Sequence, residues 1–113
     1  MSIDNIKVSL YTIVMKTDEL LAVFKNLSDE NRFNIFLLLV GEGELSVGEI
    51  ATRTGLSQPL TSHHLRHLRL IGLLNCRRDG NSILYAACGE KLKWFCTTIH
   101  SELQSRYQEG CEQ

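Results

Sequence analysis

The chain has 113 residues, of which 43% are hydrophobic, and its 12 Lys and Arg residues nearly balance 13 Asp and Glu residues, for a net charge of -1. This length is that of one compact domain, so residues 1–113 are expected to form a single folded unit with no second one. No apolar run approaches the roughly 20 residues that a membrane-spanning helix needs, so we expect no membrane partner.

The sequence carries neither a secretion signal nor a disulfide framework. Asp4 lies where a signal peptide has basic charge, and no small-residue cleavage pattern follows the apolar stretch 8–15. The four cysteines are widely spaced and form no Cys-x-x-Cys pair: Cys76, Cys88, Cys96 and Cys111. We therefore expect a cytoplasmic protein with reduced thiols.

The basic charge is concentrated in one part of the chain. From Ile50 to Arg78 there are five Arg and no Asp or Glu, so this window carries +5 and the rest of the chain carries -6. Three of the four histidines lie in the same window: His63, His64 and His67. An acid-free stretch of this length favours a surface that binds a polyanion over an ordinary solvated basic patch.

The first part of the chain predicts two or three helices. Residues 6–16 are ambiguous, because alternate apolar positions fit a strand and a helix continuous with the next one is equally allowed; we favour the helix. Apolar residues at three- and four-residue spacing then predict a helix over 18–27. A second helix starts at an N-cap at Ser28, with acids in its first turn, and ends at Gly41 and Gly43.

Two short helices around Gly55 predict a helix-turn-helix over about 46–71. The second of them begins at an N-cap at Ser57, with Pro59 in its first turn. Its predicted packing side consists of Leu60, Thr61, Leu65, Leu68 and Ile71. It also carries groups that can hydrogen-bond to base edges and phosphates: Ser57, Gln58, Thr61, Ser62, His63, His64 and Arg66.

The last third predicts a hairpin and a terminal helix. Strand-like arms around the turn at 79–82 predict a hairpin over about 73–87, a wing with Arg77 and Arg78 at its base. The terminal helix, over about 90–108, has an apolar stripe along one side: Leu92, Phe95, Cys96, Ile99, Leu103 and Tyr107. So small a domain leaves this stripe little core to cover, which predicts a second subunit as its partner.

Six short segments, each weak alone, occur in a specific joint order: LSDENR at 27–32, ELSVGEIA at 44–51, GLSQ at 55–58, SHHLRHL at 62–68, GLL at 72–74 and RRDG at 77–80. Together with the order of the elements, they resemble the ArsR/SmtB family of winged-helix repressors over about 20–85. The resemblance implies a mainly α-helical fold with a small β-hairpin wing and no enzymatic activity. It also implies a homodimer, held by helices at about 5–27 and 90–108, that releases a two-fold operator in double-stranded DNA when an inducer binds.

The predicted DNA-contacting set joins residues from the second helix of the helix-turn-helix and from the wing: Ser57, Gln58, Pro59, Thr61, Ser62, His63, Arg66, Arg77, Arg78 and Asn81. Among these, the resemblance matches Gln58, Ser62 and His63 to positions that contact DNA in the family. Other roles stay open for some: Ser57 can cap its helix, Thr61 can be packed, and Arg66 can be a solvated charge. The spacing of His63 and His67 also suits a metal, but their helix favours DNA contact.

The sequence gives less direct evidence for the residues that bind the inducer. Members of the family that sense soft metals on the third helix carry Cys where Ser46 and Gly48 stand here, and of the terminal-helix zinc ligands only Glu90 and Glu102 have counterparts. The remaining ligand types form a candidate set for As(III), Zn(II), Cd(II) or Cu(I): Cys88, Cys96, His100 and Cys111. Alternatively, Cys96 is a small buried hydrophobe of the dimer stripe, or Cys76, beside two arginines, is a thiol that senses oxidants.

These features predict a homodimeric DNA-binding repressor that a soft metal or a thiol-reactive inducer releases from its operator. One alternative is a winged-helix regulator without a metal or thiol sensor. Another is a winged-helix protein that mediates only protein contacts. A small thiol or metal enzyme is the least favoured, because the sequence has no phosphate-binding loop, no His-Glu-x-x-His and no nucleophile with a base and an orienting acid.

Overall fold

The structure is a computed structural model that describes residues 16–111, with side chains described for residues 16–107. Its elements follow in the order α1 (16–27), α2 (Glu30–Glu42), β1 (Leu45–Ser46), α3 (Val47–Thr54), α4 (Gln58–Leu70), β2 (Leu74–Asp79), β3 (Ser82–Ala87) and α5 (Gly89–Cys111). The predicted mainly α-helical fold with a small β-hairpin wing is confirmed. Of the ambiguous segment 6–16, only residue 16 is among the described residues. None of the helices within the described range is long and apolar enough to cross a membrane.

Helix α2 differs from the prediction at both ends. Its N-cap is Asp29 and not Ser28, because the Asp29 carboxylate accepts a hydrogen bond from the Arg32 backbone N–H at 3.0 Å. The Ser28 hydroxyl instead donates to the Lys25 carbonyl at 2.7 Å, which ends α1. At the other end, the helix continues through Gly41 and ends at Glu42; its C-cap is Gly43, which has a φ of +84° that suits a residue without a Cβ.

Helices α3 and α4 form the helix-turn-helix, and local signals account for their ends. Ser46 and Glu49 form a capping box: each side chain accepts a hydrogen bond from the other's backbone N–H at 3.2 Å. Gly55 ends α3 in the left-handed conformation with a φ of +75°. The Ser57 hydroxyl then caps α4 by accepting from the Leu60 N–H at 3.3 Å.

The wing is the outer part of a three-stranded antiparallel sheet in the order β1, β3, β2. In the predicted hairpin, Asp79 lies opposite Ser82 beside the turn, and Gly80 in that turn has a φ of +62°. Strand β1 was not predicted, because its two residues are too few to show an alternating pattern. It pairs Leu45 with Tyr85, which joins the wing directly to the start of α3.

The packing face of α4 is shifted from the predicted one. Leu60 is 39% exposed, whereas His64, which we grouped with the outward polar side chains, is 4% exposed. The buried positions of α4 follow a three- and four-residue spacing that includes 64 and leaves out 60: Thr61, His64, Leu65 and Leu68. With buried side chains of α2 and α3, among them Ile35 and Ile50, α4 forms the hydrophobic core.

Helix α5 packs on the domain only along the first part of its apolar stripe. Phe95 contacts Phe24 of α1 edge to face, with 5.3 Å between the ring centroids. Farther along, Leu103 and Tyr107 are 62% and 71% exposed. The stripe therefore extends beyond the core of the protomer, as its sequence predicts.

Candidate nucleic-acid interface

The outward face of α4 presents polar and charged side chains over its first two and a half turns. The exposed members of the predicted DNA-contacting set on this helix and its cap are Ser57, Gln58, Pro59, Ser62, His63 and Arg66. Amide, hydroxyl, imidazole and guanidinium groups are the side-chain types that hydrogen-bond to base edges in the major groove. The face therefore has the chemistry of a recognition helix.

Thr61 is wrongly included in the predicted set. Its side chain has no exposed surface, and its hydroxyl donates to the Ser57 carbonyl at 2.8 Å. The hydroxyl is thus satisfied within the helix while the methyl group packs in the core, so Thr61 cannot reach DNA. Helical spacing could have separated Thr61 from the exposed members of the set, because position 61 lies one turn before the buried positions 64 and 65.

A basic groove of about 320 Å³ lies between α4 and the wing. Its lining consists of Ser62, Arg66, Arg69, Leu70 and Tyr85. No acidic side chain lines it, and neither guanidinium forms an ion pair with any acid among residues 16–107. Two unpaired guanidinium groups beside a concave surface suit the phosphates of a nucleic-acid backbone. Arg69 and Tyr85 were absent from the predicted set; the three-residue spacing of Arg69 from Arg66 was the available signal.

At the base of the wing, the guanidinium of Arg77 is engaged within the chain. Its Nε and Nη2 donate to the carboxylate of Glu44, with distances of 2.9 Å from Nε to Oε1 and 2.7 Å from Nη2 to Oε2. This two-pronged hydrogen bond lowers the pKa of Glu44 and raises that of Arg77. The other predicted wing residues, Arg78 and Asn81, are exposed and pair with no side chain in the described part of the protein.

The structure brings together only part of the candidate inducer site. Cys96 is exposed on α5 in the protomer, and His100, one turn later, is exposed as well. Cys88 is partly buried at the start of α5, and the side chain of Cys111 lies outside the described side chains. No group of three His, Cys, Asp or Glu between positions 16 and 107 is arranged to hold a metal.

His64 lies on the inner face of the candidate recognition helix, with its Nε2 4.0 Å from Oδ1 of Asp29. Burial is the largest influence on its pKa and lowers it below the ordinary value of 6.5. The Asp29 carboxylate opposes this change, whereas the positive charge of Arg32 reinforces it. We therefore expect His64 to be neutral in the folded protein at pH 7.

The free energy of unfolding should decrease as the pH falls from about 7.5 to about 5.5. In this range the unfolded chain gains a proton on His64 near pH 6.5, while the folded protein gains it only at lower pH. Urea denaturation at the two pH values measures the decrease. We expect a smaller decrease for His64→Gln than for the wild type. An unchanged decrease in His64→Gln would contradict this assignment.

Comparison with known proteins places this fold and interface in a family. Residues 29–75 match the family described as bacterial regulatory protein, arsR family. The arsenic resistance transcriptional regulator ArsR2 of Pseudomonas putida is 40% identical over 86 residues, which is 76% of this chain and 75% of that protein.

Solved structures agree with the sequence match. An ArsR-like transcriptional regulator from Rhodococcus superposes with a TM-score of 0.71 and 32% identity, over 82% of this chain and 90% of that one. The homodimeric winged helix-turn-helix DNA-binding domain of Mb0332 from Mycobacterium bovis gives a TM-score of 0.63 and 31% identity, over 77% and 82% of the two chains. These relatives are regulators and not enzymes, as the sequence predicts. The chain belongs to the arsR family of bacterial regulatory proteins.

Proposed function

We propose that this protein is a homodimeric repressor that binds a two-fold operator in double-stranded DNA and acts in the cytoplasm. The observation that carries the proposal is the exposed polar face of α4 beside the basic groove formed by Arg66 and Arg69. Two recognition helices must enter major grooves about 34–36 Å apart, which requires two copies related by a two-fold axis. The similar domain of Mb0332 from Mycobacterium bovis, which is a homodimeric DNA-binding domain, supports the same arrangement.

The contacts divide by chemistry. Gln58, Ser62 and His63 present groups that can read base edges, so we assign them the choice of sequence. Arg66 and Arg69 face the groove and carry charge without an acidic partner among the described residues, so we assign them to phosphates. At the wing, Arg78 and Asn81 are assigned to the DNA backbone or the minor groove, whereas Arg77 braces the wing through Glu44.

Arg78→Ala should weaken DNA binding more than Arg77→Ala. Each dimer loses two free charges in Arg78→Ala, so the slope of log affinity against log salt should become less negative by about 2. The guanidinium of Arg77 is held by Glu44 and is not assigned to a phosphate, so its loss should change the slope far less. Fluorescence anisotropy between roughly 0.1 and 0.4 M KCl measures both slopes. Equal changes in the two variants would contradict the assignment of Arg77 as a brace.

The dimer we propose forms through α1 and α5. Both helices carry large apolar side chains that the protomer leaves exposed: Leu21, Phe24, Leu103 and Tyr107. Leu103 and Tyr107 also line an open hollow of about 630 Å³ on α5. Exposed apolar surface that continues a packed stripe is typical of a subunit interface.

We further propose that a soft metal, a metalloid or a thiol-reactive compound is the inducer. Cys96 and His100 offer an exposed thiol and imidazole on one face of α5, a donor pair that suits As(III), Zn(II), Cd(II) or Cu(I). Cys88 and Cys111 are further candidates for the same site, with Cys111 contributed from either subunit of the dimer. ArsR2, the relative from Pseudomonas putida, is described as an arsenic resistance regulator, which supports a metalloid inducer.

A release assay tests this function. The reduced, metal-free protein is bound to a fluorescent duplex that it has itself selected from a random library, and As(III), Zn(II), Cd(II) or a polysulfide is added. We expect at least one of these to release the DNA from the wild type and from the control Cys76→Ser, but not from Cys96→Ser. Release by none would favour a regulator without a thiol sensor. Failure to select any duplex would contradict DNA binding itself.

A further inference from the structure

A buried polar junction connects the end of α1 with the start of α2 and with α4. Asn26 of α1 is 8% exposed, and its Nδ2 donates to the backbone carbonyl of His67 in α4 at 2.9 Å. Nη1 of Arg32, in α2, donates to the backbone carbonyl of Asn26 at 3.0 Å. A single asparagine is therefore hydrogen-bonded to both α2 and α4.

The carbonyl that Asn26 contacts belongs to the last turn of α4. The last four carbonyls of a helix have no partner four residues ahead within the helix, and His67 is the first of these four in α4. The N–H of Ile71, four residues later, donates to Arg69 instead. Asn26 thus caps α4 from a different helix. Because hydrogen bonds are directional, this contact fixes the end of α4 relative to α1.

The junction is polar although it is buried. Three buried side-chain atoms lack a hydrogen-bond partner in the part of the chain that the structure describes: Asn26 Oδ1, Arg32 Nε and His64 Nδ1. One of these atoms belongs to α1, one to α2 and one to α4, the three helices that meet here. Unpaired buried polar atoms lower stability, and apolar side chains of similar size avoid that penalty. The bond from Asn26 to the His67 carbonyl is directional, so it can fix the relative geometry of two helices, which an apolar contact does less well.

We propose that Asn26 is a positioning residue for DNA binding, which sets the orientation of α4 relative to α1; this inference rests on the proposed function. Two residues before Asn26, Phe24 packs on Phe95 of α5. In a dimer formed by α1 and α5, the contact between α1 and α4 therefore determines the separation of the two recognition helices. A two-site operator is sensitive to that separation, whereas a single half-site is not.

The test uses two variants and a matched control on the same helix. Asn26→Ala removes the amide, and the nearly isosteric Asn26→Asp replaces the amide donor with a carboxylate, which cannot donate to the His67 carbonyl. Val23→Ala is the control, because Val23 is 1% exposed on α1 and its truncation loosens packing without removing the bond to His67. Circular dichroism establishes that each variant is folded before binding is measured.

Affinities are compared on the duplex that the wild type selects from a random library and on the same duplex with one half-site scrambled. For both Asn26 variants we expect a loss of about tenfold or more on the complete duplex and about twofold or less on the single half-site. Val23→Ala should change both affinities by the same factor.

Equal losses on the two duplexes in the Asn26 variants, or no loss on either, would overturn the proposal. So would unfolding of both variants, because Asn26 would then serve the fold and not the orientation of α4. If the wild type selects no duplex at all, the proposed function fails and this inference falls with it, an outcome distinct from equal losses.

Discussion

A double variant in which Leu103 and Tyr107 are both changed to Asp is expected to be monomeric and to bind the operator about 100-fold or more weakly. Both side chains are exposed on α5 in the protomer and line the same hollow. Carboxylates buried in an apolar subunit interface carry a large desolvation penalty, which the monomer avoids. Sedimentation equilibrium reports the oligomeric state, and fluorescence anisotropy with the selected duplex reports the affinity.

A matched control separates this effect from general damage to the surface. Val40 is 45% exposed on α2, so Val40→Asp introduces a similar charge at an exposed apolar position outside the proposed interface. We expect it to remain dimeric and to bind DNA like the wild type. If the α5 variant also stays dimeric with normal affinity, α5 is not part of the interface and the proposed dimer is wrong.

The second change with a large expected effect is a double variant in which Arg66 and Arg69 are both changed to Ala. The dimer loses four guanidinium groups from its two grooves, so the salt slope should become less negative by about 3 to 4. At roughly 0.15 M salt, the affinity for any duplex should fall by about 100-fold, because phosphate contacts contribute to specific and non-specific binding alike. Anisotropy titrations on selected and scrambled duplexes measure both effects.

The control for this pair removes the same charge from other helices. Lys25 of α1 and Lys93 of α5 are exposed and lie outside the groove, so Lys25→Ala with Lys93→Ala should leave the slope nearly unchanged. An equal change of slope in both double variants would mean that overall charge, and not the groove, determines DNA binding.

Local signals explain why much of the fold was predictable. The glycine at position 55 and the proline in the first turn of α4 each act within a few residues, and each has its predicted place in the structure; the capping box of Ser46 and Glu49 is a further local signal of this kind. The α2 cap lies one residue later than predicted, at Asp29 and not at Ser28, because both side-chain types can cap a helix. Strand β1 was not predicted, because a strand of two residues is recognisable only by its pairing, here with Tyr85 of β3.

The features of the interface that the sequence did not reveal arise from contacts between distant positions. Glu44 and Arg77 are 33 residues apart, so an arginine that looked free for DNA in the sequence is hydrogen-bonded to an acid outside its own motif. The contact from Asn26 to the carbonyl of His67 spans 41 residues and ends on a backbone atom, which no side-chain pattern reveals. On α4 itself, the predicted packing face included the exposed Leu60 and left out the buried His64, and Thr61 was counted both in that face and among the DNA contacts.

The central claim is that a dimer of this chain reads DNA sequence through the exposed face of α4. Its most direct test is the affinity of the wild type for its selected duplex and for a scrambled duplex, measured over a range of salt concentrations. We expect a preference of about 1,000-fold or more for the selected duplex, and a log-log salt slope of about -5 from roughly six phosphate contacts per dimer. Equal affinities for the two duplexes, with no dependence on salt, would contradict it.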